Sequence, residues 1–220
     1  MRAGLIALGF CCVFPCVLQP VRTTELRAYE VDRPASKLFI VTHRSGLLSF
    51  LGHEHAIVPG DWDADLCLSE PASNDMRASF VIRTGSLVID SDSARALAGL
   101  GGGPDADDVR EIQRKLLDAD HLDAGRYPEA RIETDSVAVG DDHTLVVTAR
   151  LTLRGITRPV RFRVRFEVLP GNALRLAGTL RIRQRDFGIR PESIARVVNV
   201  SNDVDLHVEL IARPTLRPCP

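Results

Sequence analysis

The chain has 220 residues, and its 28 lysines and arginines almost balance its 29 aspartates and glutamates, which leaves a formal net charge of −1 at pH 7. Domains that bind nucleic acid usually carry a strong basic excess, so this balance does not favour nucleic acid as a partner. Hydrophobic residues make up 45% of the chain, enough for one domain with a core of its own.

The N-terminus has the pattern of a signal peptide, which we place at residues 1–22. Arg2 precedes an uncharged run from Ala3 to Leu18. The run is shorter than the roughly 20 apolar residues that a membrane-spanning helix needs. We therefore expect export to the periplasm and cleavage, although the cysteines in the run leave lipidation open. The mature protein would consist of one domain at residues 28–213 and a tail at residues 214–220.

The first half of the mature chain alternates apolar and polar residues, the pattern of half-buried strands. Strands are predicted at residues 29–32, 37–44, 53–58, 61–68, 76–83 and 131–139. In the fourth of these, Trp62 alternates with Ala64, Leu66 and Leu68 and is expected to point inward.

One segment has helical spacing instead. Residues 107–118 place Val109, Ile112, Leu116 and Leu117 on one face, so a single helix is predicted there, packed over one end of the sheet. A glycine-rich stretch at residues 99–104 precedes it and superficially resembles a phosphate-binding loop. The acidic residues that follow would repel a phosphate, and they are better explained as capping the helix.

Alternation is clearest between residues 144 and 186, where three long strands form a meander, and in a last strand at residues 198–210. In the second strand of the meander, Val160, Phe162, Val164, Phe166 and Val168 are expected inward. The count is about eight to ten antiparallel strands, each with one apolar face. The predicted fold is all-β, a closed antiparallel eight-stranded barrel, because closure removes exposed strand edges.

Alternation also selects the residues expected to line an apolar interior that binds a ligand. In the predicted strand at residues 37–44, the lining residue is expected to be Phe39 or its strand neighbours. The others are Trp62, Phe80, Leu151, Phe162, Phe166, Leu180 and Val204.

Three histidines form the main polar candidate site. His53 and His55 are two residues apart, so in a strand they would project to the same face, and His43 is expected on a neighbouring strand. Three imidazoles could hold Zn²⁺. They could also line the barrel mouth and hydrogen-bond a ligand head group, which is the preferred interpretation, or act as a general acid or base.

Outward-facing arginines form a stripe on the meander. The turns would place Arg161 opposite Arg181 and Arg150 opposite Arg163. Such a stripe could face an anionic membrane surface. Outward acidic residues on the last strand, among them Asp205, could instead neutralise it, and this alternative is favoured.

Outside the leader, the chain has cysteines at positions 67 and 219. A bridge between Cys67 and Cys219 is one possibility in an oxidising compartment, and two cysteines alone do not decide it.

Several short motifs resemble the YceI-like family of periplasmic lipid- or polyisoprenoid-binding proteins. Near the start these are Tyr29, Val31, Asp32 and Ser36, followed by Val41, His43, Gly46 and Gly52. In the centre they are Asp123 and Tyr127-Pro128. The most specific is Leu151-Thr152-Leu153-Arg154-Gly155-Ile156-Thr157-Arg158-Pro159-Val160, and Asp186-Phe187-Gly188 follows it.

The resemblance implies a lipocalin-like barrel that encloses an amphiphile with a long isoprenoid or fatty chain. We therefore expect a carrier or storage protein, with no cofactor and no enzymatic activity, that makes transient contact with a membrane. The alternative is a metal-binding protein or metal-dependent enzyme centred on His53 and His55. A third possibility is an interaction module whose barrel is filled by its own side chains.

Overall fold

The computed structural model describes residues 25–45, 53–191, 193–194 and 198–219. The predicted signal peptide lies outside these residues, as do Gly46 and Gly52. Among the described helices, none is long and apolar enough to cross a membrane.

Antiparallel strands form most of the described chain, as the alternating pattern predicts. The early strands lie within a few residues of their predicted positions. The strands are β1 Leu26–Val31, β2 Lys37–Ser45, β3 His55–Pro59, β4 Trp62–Ser69, β5 Arg77–Arg83, β6 Leu87–Ile89, β7 Glu129–Val139, β8 Thr144–Leu153, β9 Ile156–Val168, β10 Leu174–Arg183, β11 Ser193–Ile194 and β12 Val198–Pro214.

The sheet closes into an eight-stranded antiparallel barrel, which confirms the predicted fold. Its order is β1-β4-β5-β7-β8-β9-β10-β12, and β12 pairs again with β1. The 17-residue β12 makes closure possible because it spans two partners. Its C-terminal end pairs with β1, and the preceding part pairs with β2. Strands β2, β3 and β6 continue the wall from there.

The predicted helix covers one end of the barrel, and a second helix, which was not predicted, packs against β2 and β3. Helix α1 spans Asp92–Ala98, and α2 spans Ala106–Leu117. Asp105 caps α2 by accepting hydrogen bonds from the next turn, as expected for the acidic residues ahead of it. Helix α1 has seven residues, too few to show a helical period, which explains why alternation and helical spacing did not predict it.

Helix α2 also protects an exposed strand edge. Gln113 accepts a hydrogen bond from the backbone N–H of Ile89 at 2.9 Å and donates one to the carbonyl of Leu87 at 2.8 Å. These groups belong to β6, the last strand of the sheet path. A side chain that satisfies both groups blocks the pairing of this edge with another chain.

The hairpin between β8 and β9 contains the most specific family-like motif. Gly155 adopts a positive φ of 71°, and a Cβ at this position would lie 2.6 Å from the Tyr127 ring. Glycine is therefore required both by the turn and by the packing. Next to it, Arg154 donates to the carbonyls of Gly188 at 2.7 Å and Ala119 at 2.5 Å, and so ties the hairpin to two other loops.

Two details of the predicted meander are wrong. Arg150 lies opposite Pro159, and Arg163 lies opposite Val146, because the hairpin turns on Arg154 and Gly155 and fixes a different register. Val168 is 43% exposed, since it lies at the end of β9 beyond the last residue that pairs with β8.

A disulfide joins Cys67 of β4 to Cys219 near the C-terminus, which settles the pairing that the sequence left open. The bond ties the tail to the buried side of β4, where Cys67 is 1% exposed.

Candidate functional site

The barrel interior contains two apolar chambers. The hairpin-end chamber lies towards the β7–β8 hairpin and is bounded there by Val137, Leu145 and Val147. The helix-end chamber lies beneath α2 and is bounded there by Leu116 and Leu122. Both chambers are lined by a common ring of residues, which we call the waist: Phe80, Ile82, Ile132, Leu180 and Leu206.

The two chambers are large enough for part of a chain-like ligand. The centre of a water-sized sphere can occupy about 110 Å³ of the hairpin-end chamber and about 130 Å³ of the helix-end chamber. A single water needs only roughly 10–15 Å³ by this measure. The barrel interior is therefore not packed solid. The interaction-module alternative requires a filled interior, so the chambers argue against it.

Polar groups are distributed unevenly between the chambers. Arg77 and Thr134 are the polar residues on the hairpin-end wall. The helix-end wall includes Thr42, Thr84, Arg131 and Gln184. An amphiphile with one polar end therefore fits best with that end in the helix-end chamber and its chain through the waist.

Most of the predicted lining residues face the interior. Phe80 and Leu180 belong to the waist, Phe162 lines the hairpin-end chamber, and Leu151 and Val204 line the helix-end chamber. Contact between these residues and a ligand stays a prediction.

Three further predicted lining residues lie elsewhere. Trp62 and Phe166 are buried in the core around the hairpin-end chamber but are not part of its lining. Phe39 is on the outer face, where its ring stacks on His207 at 4.8 Å between centroids. Its neighbours Leu38 and Ile40 line the chambers instead. The sequence left the choice between Phe39 and its neighbours open, because this strand is apolar on both sides, and the structure places the neighbours and not Phe39 in the lining.

Three residues of the waist, Ile82, Ile132 and Leu206, were not predicted as lining. Leu206 follows the predicted Val204 by two positions on β12, so the same alternation could have found it. Ile82 follows Phe80 by two positions on β5, and Ile132 lies opposite Phe80 on β7. The alternation that selected Phe80 could have found Ile82, whereas Ile132 required the strand register.

His43 lies on the outer wall and takes part in an ion-pair network. Its Nδ1 lies 3.1 Å from Oε1 of Glu54, and its Nε2 lies 3.0 Å from Oδ2 of Asp205. The hydrogen bond with Glu54 is the largest of the influences that together raise the pKa of His43. This placement contradicts the prediction that His43 faces the ligand, because the inward position on β2 is the adjacent Thr42.

The other two histidines of the predicted site, His53 and His55, do not share a face of β3. His53 is exposed and precedes β3, so the strand geometry that would align it with His55 does not hold. His55 pairs with Thr42 and contacts Asp90 through Nδ1 at 2.5 Å. His43 and His55 therefore lie on opposite faces of the β2–β3 pair. In the part of the chain that the structure describes, no group of three His, Cys, Asp or Glu side chains could hold a metal ion.

The outer arginines divide into a neutralised set and an unpaired set. On β10, Arg181 binds Asp205 and Arg175 lies 3.3 Å from Glu209, as predicted for the acidic residues of the last strand. On β9, Arg161, Arg163 and Arg165 are exposed, and no described acidic side chain forms an ion pair with them. We call these three residues the β9 arginines.

Sequence comparisons identify relatives over part of the chain. A UPF0312 protein of Pseudomonas putida is 31% identical over 105 residues, which is 45% of this chain and 53% of that protein. A UPF0312 protein of Vibrio parahaemolyticus is 30% identical over 104 residues, with the same coverage. The chain spans about half the length of the curated relatives it matches.

Solved structures with the same fold cover more of the chain. BcnA of Burkholderia cenocepacia aligns with a TM-score of 0.62 at 18% identity, over 83% of this chain and 99% of that one. A polyisoprenoid binding domain from Saccharophagus degradans aligns with a TM-score of 0.56 at 18% identity, over 87% of this chain and all of that one (100%). At this identity the likeness shows the fold alone.

A family model matches the chain from the first strand of the barrel to the last, and this match decides which protein family the chain belongs to. The model of the YceI-like domain covers residues 29–212, from β1 to β12, which includes the chambers and the hairpin with Gly155. The chain therefore belongs to the YceI-like domain family.

Proposed function

We propose that the protein binds one long-chain amphiphilic lipid, a polyisoprenoid or a lipid of similar shape, non-covalently in the barrel. The observation that carries the proposal is the waist, the ring of residues at which two apolar chambers adjoin inside the barrel. A flexible chain fits such a shape better than a compact ligand does. Each CH₂ group moved from water into this interior would contribute about 0.8 kcal/mol, so a long chain needs no charged contact.

The comparisons support the same ligand class, since a structure with this fold is described as a polyisoprenoid binding domain. We propose a carrier or storage role in the periplasm rather than an enzymatic one. The signal-peptide pattern supports export, and the disulfide suits an oxidising compartment. Loading and release would then involve transient contact with a membrane, for which the β9 arginines are the candidate surface.

The proposal is tested by extracting the purified protein with organic solvent and analysing the extract by mass spectrometry. We expect a co-purified lipid with a long apolar chain. The Leu206→Trp variant, which fills the waist, should lose this lipid. Val168→Trp is the matched control because Val168 is 43% exposed at the end of β9. A folded wild-type protein that neither carries nor takes up any long-chain lipid would contradict the proposal.

A further inference from the structure

A histidine beside the helix-end chamber is oriented by a fully buried carboxylate. Nδ1 of His55 lies 2.5 Å from Oδ2 of Asp90, and the two side chains are 14% and 0% exposed. His55 pairs with Thr42, and Ile57 pairs with Ile40. Directly paired residues of antiparallel strands point to the same face. Because Thr42, Ile40 and Ile57 all line the helix-end chamber, His55 lies on the chamber side of β3, next to the lining.

Asp90 is held as an ionised acceptor. Its Oδ1 accepts hydrogen bonds from the backbone N–H of Ala56 at 3.0 Å and from Nη1 of Arg95 at 2.8 Å. Burial is the largest influence on the pKa of Asp90 and raises it, but the hydrogen bonds from His55, Ala56 and Arg95 together lower it below the usual value. An ionised carboxylate only accepts hydrogen bonds, so Nδ1 of His55 carries a proton.

The glycine-rich stretch and α1 complete this arrangement. Arg95 of α1 also donates to the carbonyls of Glu54 at 3.0 Å and Gly101 at 3.1 Å. A Cβ at Gly103 would lie 2.9 Å from Nε of Arg95, so glycine allows the backbone to approach the guanidinium. The stretch that superficially resembled a phosphate-binding loop thus encloses an arginine, which fixes Asp90 and, through it, His55.

We propose that Nε2 of His55 accepts a hydrogen bond from a hydroxyl group at the polar end of the bound lipid, so that the protein selects a long-chain alcohol. The inference rests on the proposed lipid-binding function. With the proton on Nδ1 directed to Asp90, a neutral imidazole presents a lone pair at Nε2.

Other polar residues of the helix-end chamber are compatible with the same class of head group. Gln184 lines the helix-end chamber and uses its amide NH₂ to donate to the carbonyl of Ser201 at 2.8 Å. The oxygen of the same amide is a hydrogen-bond acceptor. Arg131, the cation of the same wall, already forms an ion pair with Glu129 at 3.0 Å, which reduces its attraction for an anionic head group. A hydroxyl donor therefore meets accepting groups here, whereas the cation of this wall already has an acidic partner.

The experiment compares farnesol, its methyl ether and farnesyl phosphate in displacing an apolar fluorescent dye from the purified protein. The ether keeps the chain and loses the hydroxyl donor. Since one hydrogen bond is worth about 0.5–1.5 kcal/mol net, the wild type should bind the alcohol about three- to tenfold more tightly than the ether. His55→Phe should bind both equally, with unchanged affinity for the ether. His55→Gln can donate to Asp90 and still accept, so it should keep part of the preference.

His53→Phe is the matched control, because His53 is exposed two residues away, and it should keep the full preference. Equal binding of alcohol and ether by the wild type, or tighter binding of the phosphate, would overturn the inference and leave lipid binding intact. A preference that persists in His55→Phe would also overturn it. If His55→Phe does not fold, the wild-type ratio and His55→Gln decide. Failure of all three ligands to displace the dye would overturn the proposed function together with this inference.

Discussion

Arg181 and Asp205 form a two-pronged ion pair across β10 and β12, in which Nε and Nη2 of the arginine each donate to a different carboxylate oxygen at 2.7 Å. Nε2 of His43 lies 3.0 Å from the same carboxylate. The hydrogen bonds from Arg181, and then those of His43, lower the pKa of Asp205 to about 2 although burial opposes them. Asp205 therefore links three strands on the outer wall of the barrel: its own strand β12, β10 through Arg181, and β2 through His43.

Replacing Asp205 by Asn should destabilise the protein by about 1–3 kcal/mol, because Arg181 and His43 lose a charged acceptor. The stabilisation by Asp205 is fully present above pH 3.8 and is lost as the pH falls through about 2, since the folded pKa is depressed. Urea unfolding of both proteins measures the difference. Asp203→Asn on the same strand is the control, and an equal loss in that variant would contradict the assignment.

His43 should stabilise the fold in the opposite pH range. Its pKa is raised from 6.5 in the folded state, so its contribution is fully present below pH 6.5 and is lost as the pH rises through the raised value. The groups around the ring are Glu54, Asp205, Arg181 and His207. The difference in free energy of unfolding between the wild type and His43→Gln should therefore be greatest at mildly acidic pH. A difference that grows towards alkaline pH would refute this prediction.

Gly155→Ala should lower the free energy of unfolding by more than Gly171→Ala does. Both glycines have positive φ angles, 71° and 75°, so each alanine incurs a similar backbone penalty of about 1–2 kcal/mol. At Gly155 the new Cβ would also lie 2.6 Å from Tyr127, whereas nothing lies within 4 Å at Gly171. Thermal or urea unfolding gives the two losses, and equal losses would show that the Tyr127 contact does not constrain the turn.

Removing the disulfide by Cys219→Ala should lower the free energy of unfolding by about 2–5 kcal/mol, because the bond closes a long loop in the unfolded chain. The two cysteines are 152 residues apart in sequence. Reductant should bring the wild type to the stability of the variant and should leave the variant unchanged. A wild type that is insensitive to reductant would contradict the prediction.

The β9 arginines should govern adsorption to anionic membranes. Changing Arg161, Arg163 and Arg165 together to Gln should weaken binding to phosphatidylglycerol vesicles by up to about a hundredfold at low salt, at about 1 kcal/mol for each arginine. The control changes three arginines that already have acidic partners, Arg150, Arg175 and Arg183, and removes the same charge. Cosedimentation measures binding, and equal losses in both variants would indicate an effect of net charge alone.

Alternation in the sequence was sufficient to predict which residues of the barrel wall face the interior on most strands. On β8, β10 and β12 the period of two separates apolar from charged residues, so Leu151, Leu180 and Val204 could be assigned to the interior without coordinates. The glycine of the β8–β9 hairpin was likewise recognisable by its motif. On β2 the same rule could not choose between Phe39 and its neighbours, because the outer face of that strand also carries apolar residues. Phe39 is one of them, and its ring stacks on His207.

The amino-acid sequence alone determined that this chain forms an all-β barrel of the YceI-like family with a largely apolar interior, because strand periodicity and turn motifs are local properties. Only the tertiary structure decided how distant residues meet: that His43 binds Asp205 outside the barrel, that His55 is oriented by Asp90, and that Cys67 bonds to Cys219. The physical reason is that register and closure join residues far apart in the chain, and no local pattern encodes which of them come into contact.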